Sequence, residues 1–122
     1  MGEFREHARV PIGLQVGYRK LNSFFADYTK NISRGGTFIK TRTPLPAGTR
    51  FVFQLTVPTR AEAFALEGEV VRVELEGVEP GMGIRFVWRD DTARARFERS
   101  VEQLMADSLG PEVASELIRA AR

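Results

Sequence analysis

Hydrophobic and polar residues alternate with a period of two along most of this chain, a pattern typical of β-strands with one buried face. Val10, Ile12 and Leu14 begin the first such run. The predicted strands lie at residues 10–18, 25–29, 37–41, 51–57, 63–75 and 82–88. Within the longest of them the inward set changes parity near Gly68, which indicates a bulge or bend.

Six short strands with turn residues between them predict a mainly β fold, either a small barrel or a sandwich. A closed barrel is favoured because closure removes exposed strand edges. "TPLPAGT" at 43–49 and "TRAEA" at 59–63 are predicted to be loops that connect strands.

The C-terminal part changes to helical spacing of its apolar residues. A helix is predicted over 91–109, with Asp90 or Asp91 as its cap and Gly110 as its end. Pro111 suits the first turn of a second short helix. The chain is thus divided into an N-terminal arm (1–9), a barrel with a closing helix (10–109) and a short C-terminal helix (110–122).

Composition narrows the classes of function. The chain has 122 residues, no cysteine and one histidine, His7, so neither a thiol nucleophile nor a cysteine- or histidine-rich metal site is expected. No nucleotide-triphosphate or dinucleotide fingerprint occurs, and we expect no enzymatic activity. Long apolar runs and a secretory leader are lacking, so a cytoplasmic protein without membrane insertion is expected.

Two segments could bind an anionic ligand. Arg5 and Arg9 are four residues apart just before the first strand, and each offers a planar guanidinium fork for phosphate. Such a pair is more often a plain surface feature than a binding site.

The second segment is "NISRGG" at 31–36. In an extended segment Asn31 and Ser33 would point to the same side, offering an amide and a hydroxyl. Gly35 and Gly36 allow close approach to bare backbone N–H groups. The segment alone is more often an ordinary turn, and only the order of the two segments favours a phosphate- and purine-binding site.

These two segments resemble the paired motifs of PilZ domains. Arg5-x-x-x-Arg9 is similar to the family's RxxxR motif, and Asn31-x-Ser33-x-x-Gly36 is similar to its (D/N)xSxxG motif. "PLPAGTRFVFQLTVP", "LEGEVVRV" and "PGMGIRFV" resemble the rest of the domain, and "YTKNISRGGTFIKT" resembles PilZ-like paralogues of gliding bacteria.

The resemblance implies a six-stranded antiparallel β-barrel that binds cyclic di-GMP and needs no cofactor or metal. Arg5 and Arg9 would hold phosphates and stack on or bond to guanine, Asn31 and Ser33 would hydrogen-bond guanine, and Gly36 would leave room for the base. The ligand would order the arm and change the surface that an unidentified effector protein recognises.

Two other interpretations are weighed against this one. A PilZ-like adaptor could have lost the ligand and kept only the protein contact, with a homodimer left open. Nucleic-acid binding, which small barrels often perform, is opposed by a net charge of only +2 and by the lack of basic strands with interleaved aromatics.

Overall fold

The computed structural model describes residues 9–121, with side chains described from Leu14 onward. In this part of the chain there are five β-strands and three α-helices. The strands are β1 (Arg9–Gly17), β2 (Gly36–Lys40), β3 (Arg50–Thr56), β4 (Phe64–Glu74) and β5 (Gly81–Phe86). The helices are α1 (Leu21–Lys30), α2 (Asp91–Leu109) and α3 (Pro111–Ala121).

The strands form one mixed sheet in the order β1-β3-β4-β5-β2. β1 pairs with β3 in parallel, and the other three pairings are antiparallel. The prediction of six antiparallel strands is therefore not confirmed: residues 9–121 contain five strands, and one of the four pairings is parallel. The sheet curls into a half-barrel in which β1 and β2 are the two edges, so the expected closure is not observed among the described strands.

Helix α1 occupies the place of the strand that was predicted at 25–29. Phe24, Phe25 and Tyr28 are all buried. Two adjacent buried side chains followed by a third after one turn fit a helix, whereas a strand of this sheet would bury alternate residues. β1 and β2 lie at opposite edges of the sheet, and the segment that contains α1 connects them.

The bulge in β4 lies at Val71 rather than at Gly68. The register of β4 on β5 shifts between Val70 and Arg72, and Val71 between them is 55% exposed. Gly68 keeps its regular inward place, where a Cβ would lie 2.5 Å from Cγ2 of Ile84. Gly68 is therefore explained by close packing beneath β5.

Helix α2 packs against the core of the sheet with Phe97, Val101 and Met105, which are all buried. The Phe97 ring contacts Phe64 edge-on at 5.0 Å between centroids and Trp88 at 5.5 Å. Burial of each such side chain stabilises the fold by about 1.5–3 kcal/mol.

Both predicted ends of α2 are confirmed. Asp90 caps the helix by accepting a hydrogen bond from the backbone N–H of Ala93 at 2.8 Å, and Gly110 follows the last turn with φ of 88°. Helix α3 then begins at Pro111 and packs against α2 and α1, with Ala114 buried.

Candidate functional site

The NISRGG segment is an ordered turn between α1 and the edge strand β2. Residues Ile32–Arg34 form one turn of 3-10 helix, so Asn31 and Ser33 do not share the extended conformation expected from sequence. The backbone carbonyl of Asn31 accepts hydrogen bonds from the N–H groups of Arg34 at 3.0 Å and Gly36 at 3.3 Å. The turn is therefore held by its own backbone.

Both glycines of the turn are required by the fold itself. Gly35 has φ of 110°, a left-handed conformation that other residues rarely adopt. A Cβ on Gly36 would lie 2.4 Å from the backbone oxygen of Ile84 on the neighbouring strand. The two glycines would thus be needed here even without a ligand.

Asp27 holds the side chain of Asn31. The Asn31 amide donates to Oδ1 of Asp27 at 2.6 Å, while Oδ2 of the same carboxylate accepts from Thr37 Oγ1 at 3.0 Å and from the Tyr18 hydroxyl. Burial, followed by the hydrogen bond to Asp27, raises the pKa of Tyr18 well above its usual range, so the hydroxyl remains a donor. This network links α1 to β2 and to the end of β1.

Asn31 and Ser33 line different pockets. Ser33 donates its hydroxyl to the backbone carbonyl of Thr29 at 3.3 Å and borders a cavity next to α2. Asn31 lines an open pocket with Gly36 on the outer side of β2. In this state the turn therefore presents Asn31 and Gly36 together, but not Ser33.

The pocket beside Asn31 is basic and has a volume of about 370 Å³. We name it the basic pocket; its lining includes Lys30, Asn31, Arg34, Gly36, Phe38 and Arg72. The Phe38 ring lies against Gly81, where a Cβ would come within 2.7 Å of it, and the Arg72 guanidinium carbon lies 5.8 Å from the ring centroid. Three cations around one aromatic face can hold a planar ligand that carries negative charge.

A row of paired residues crosses the whole sheet between the two sequence motifs. The register aligns Arg9 with Arg50, Arg50 with Glu69, Glu69 with Arg85, and Arg85 with Gly36. We name Arg50, Glu69 and Arg85 the charged row. Arg5 lies outside the described residues, and for Arg9 the structure describes the backbone only.

The charged row is held by two ion pairs. Glu69 Oε1 lies 3.8 Å from Nε of Arg50 and accepts a short hydrogen bond from the Arg85 guanidinium. The two arginine side chains are about half exposed, while the glutamate side chain is 26% exposed. The sequence alone does not single out these three residues, because their proximity depends on strand pairing.

A second, larger pocket of about 460 Å³ lies where the sheet meets α2. Its lining includes Arg60, Trp88 and Arg96, and the Arg60 guanidinium carbon lies 3.9 Å from the Phe64 ring centroid. Neither sequence motif contributes a residue to its described lining, so it is separate from the site at Asn31.

Residues 9–121 contain neither a candidate metal site nor a helix that could span a membrane. No cluster of three or more His, Cys, Asp or Glu side chains in this range could hold a metal ion. None of the described helices has the length and apolar character needed to span a membrane. His7 lies outside the described residues.

Comparison with known proteins gives one family and no individual relative. The sequence model of the PilZ domain matches residues 3–103, which include both motifs, all five strands and most of α2. No curated protein matches the chain. PilZ domains are a family of cyclic di-GMP receptors rather than of catalysts. The match covers well over half of the sequence, and the chain therefore belongs to the PilZ domain family.

Proposed function

We propose that this protein is a cyclic di-GMP receptor whose basic pocket holds one guanine. The observation that supports this most directly is that Asn31 and Gly36, from one PilZ motif, line the same pocket as Lys30, Arg34 and Arg72. Cations, the Asn31 side chain and a glycine that leaves room for a base suit a ligand that combines phosphates with a purine.

Guanine offers contacts that the basic pocket can match. Asn31 gives its amide N–H to Asp27, which leaves its side-chain oxygen to accept a hydrogen bond from the N–H groups of guanine. Arginine pairs with the O6 and N7 atoms of guanine, and Arg34 and Arg72 are the candidates here. The Phe38 face adds a surface on which a base can stack.

The other motif residues also have proposed roles. Ser33 would have to move to take its role, and the side chains of Arg5 and Arg9 are not among those that the structure describes. Ser33 now donates to Thr29, so contact with guanine requires its hydroxyl to leave that carbonyl. Gly35 supplies the left-handed turn that brings Gly36 to the pocket. Arg5 and Arg9 would bind phosphates from the N-terminal side, at the β1 edge of the sheet.

Ligand binding would be transmitted as a change of surface. With Arg5 and Arg9 drawn onto the bound phosphates, the arm and the sheet would form a new combined face that an effector protein recognises. We place this signalling in the cytoplasm, in control of motility, pili, polysaccharide or development.

A second candidate function is an adaptor that contacts proteins without the nucleotide. One observation is compatible with it: Gly35, Gly36 and Asn31 each have a structural role that needs no ligand. A chain that had lost ligand binding would retain these three residues for folding.

Calorimetric titration with cyclic di-GMP tests the proposal. Hydrogen bonds to charged groups contribute about 1.5–3 kcal/mol, so Arg5→Ala and Arg9→Ala should each weaken binding about ten- to a hundredfold. Arg99→Ala, an exposed arginine on α2, is the control and should bind normally. Melting temperatures of the free variants should match that of the parent. The proposal fails if the parent does not bind, or if Arg9→Ala binds as tightly as the parent.

A further inference from the structure

The two PilZ motifs lie at opposite ends of one continuous row across the sheet. The row begins with the backbone of Arg9 at the β1 edge and ends at Gly36 on the β2 edge. Between them lie Arg50, Glu69 and Arg85, each opposite the next. A ligand that lies on the exposed face of the sheet between the two motifs would therefore rest on the charged row.

The arginines of the charged row have unused hydrogen-bonding capacity. Each guanidinium carries five N–H donors. The Glu69 carboxylate contacts one nitrogen of Arg85 and lies 3.8 Å from one nitrogen of Arg50. Arg50 and Arg85 are 44% and 51% exposed, so their remaining donors are open to solvent. Paired with a single carboxylate, the row keeps a net charge of +1.

We propose that the charged row is the floor of the phosphate-binding part of the site, and that Glu69 limits the affinity for the ligand. This inference rests on the proposed cyclic di-GMP function. Arg50 and Arg85 donate to the phosphates, while the carboxylate between them holds both guanidinium groups in place. The same carboxylate repels the phosphates and competes with them for the arginine donors.

The inference predicts opposite signs for neighbouring substitutions. Arg85→Gln removes a phosphate donor and should weaken binding of cyclic di-GMP about tenfold. Glu69→Gln removes the repulsion and frees the arginine donors, so it should strengthen binding about three- to tenfold. A purely structural role of Glu69 would give the reverse sign, because loss of the ion pairs loosens the site.

Lys40 and Glu79 provide matched controls. They form an exposed ion pair at 2.8 Å, in which Lys40 is the last residue of β2, four residues from Gly36, and Glu79 lies in the connection between β4 and β5. Glu79→Gln changes the net charge by the same amount as Glu69→Gln, and Lys40→Gln matches Arg85→Gln. Both controls should change affinity less than twofold.

The experiment is calorimetric titration of cyclic di-GMP into the full chain, the four glutamine variants and Arg85→Lys, each first checked for folding by circular dichroism. Arg85→Lys keeps the positive charge but lacks the planar, bidentate guanidinium group. Its affinity for cyclic di-GMP should therefore lie between those of the parent and Arg85→Gln. The inference is overturned if Glu69→Gln binds no tighter than Glu79→Gln, or if Arg85→Gln binds like Lys40→Gln. Should Glu69→Gln fail to fold, the Arg85 series alone decides.

Failure of this inference can be told apart from failure of the proposed function. If the parent binds and Arg9→Ala weakens binding, but the row variants match their controls, the receptor function stands and the floor lies elsewhere. If the parent does not bind cyclic di-GMP, both proposals are overturned.

Discussion

The side-chain amide of Asn31 donates a hydrogen bond of 2.6 Å to the carboxylate of Asp27, one helical turn earlier. The second carboxylate oxygen takes hydrogen bonds from Tyr18 and Thr37. Asp27, which lies outside the motif, thus fixes the orientation of the Asn31 side chain. Asp27 consequently acts as a positioning residue for the proposed guanine contact.

Replacing Asp27 by alanine should affect both folding and binding. Asp27→Ala leaves three donors without their acceptor, and we expect a loss of about 1–3 kcal/mol in the free energy of unfolding. Binding of cyclic di-GMP should also weaken several-fold, because the Asn31 amide is free to rotate. Urea denaturation and calorimetric titration measure the two effects.

The chain contains a matched control for this substitution. Gln103 donates its amide to Asp107 at 2.9 Å, also across one helical turn, but on the exposed surface of α2. Asp107→Ala should reduce the free energy of unfolding by less than about 0.5 kcal/mol and leave binding unchanged. Equal effects of the two alanine variants on binding would contradict a positioning role for Asp27.

The pH dependence of stability should contain a contribution from Tyr18. Its pKa in the folded protein is raised above the ordinary value near 10, first by burial and then by Asp27. The unfolded chain therefore loses this proton first, so the contribution is complete below pH 10 and declines as the pH rises above 10.

Tyr18→Phe isolates this contribution while keeping the ring that packs on Phe24 at 5.2 Å. Urea unfolding followed from pH 8 to pH 11 should show a shallower decline in Tyr18→Phe than in the parent. Parallel curves for the two proteins would show that Tyr18 titrates normally in the folded state.

Gly36→Ala should destabilise the protein even without ligand. The new methyl group would meet the Ile84 carbonyl oxygen, a backbone atom that cannot rotate away, and we expect a cost of about 1–3 kcal/mol. Thermal denaturation of the free protein measures it.

Gly35 and Gly77 extend this test to turn conformation. Both have positive φ, 110° and 103°, and open space where a Cβ would lie, so alanine at either position should cost about 1–2 kcal/mol. Because Gly77 does not line the basic pocket, only Gly35→Ala should also weaken binding. If Gly36→Ala melts like the parent, the close approach to Ile84 is not a constraint.

Removal of residues 111–122 should leave a folded receptor of lower stability. Helix α3 packs on α2 and α1 and buries Ala114, so it docks on its own chain, but the sheet and α2 form most of the core. The truncated protein should keep its far-UV circular dichroism and bind cyclic di-GMP within twofold of the parent, while its melting temperature falls by several degrees. An unfolded truncation would show that α3 is essential core.

The exposed face of α3 tests self-association separately. Val113 is 48% exposed and is available for a second copy of the chain or for another protein. Val113→Ser keeps the helix and should change the mass measured by light scattering only if α3 forms a homodimer. An unchanged mass would assign no dimer contact to Val113.

Local signals in the sequence were sufficient for the C-terminal helices. Asp90, Gly110 and Pro111 each act within one turn of chain, and the structure places helix boundaries at these residues. α1 was misread, although Leu21, Phe24 and Tyr28 already follow a helical spacing. Because Phe25 is also apolar and the segment is short, the same residues fit a strand equally well.

Long-range pairing could not be predicted from patterns. Glu69 meets Arg85 across a hairpin that contains a bulge, and Arg50 reaches Glu69 from a third strand. A change of register by one residue would place these side chains on opposite faces. Likewise, Asn31 and Ser33 line different pockets because Ile32–Arg34 form a 3-10 turn. Extended backbone was expected here from the sequence, and this separation was therefore missed.

The bulge at Val71 gives this domain a short route to change its ligand without changing its core. Val70 is buried, Arg72 faces outward and Val73 is partly buried, so deletion of Val71 would restore simple alternation and turn no other side chain over. The strand would straighten, and the basic pocket would lose the wall that Val71 provides. Deletion of Val71 would therefore reshape the proposed ligand pocket and leave the buried residues of the core in place.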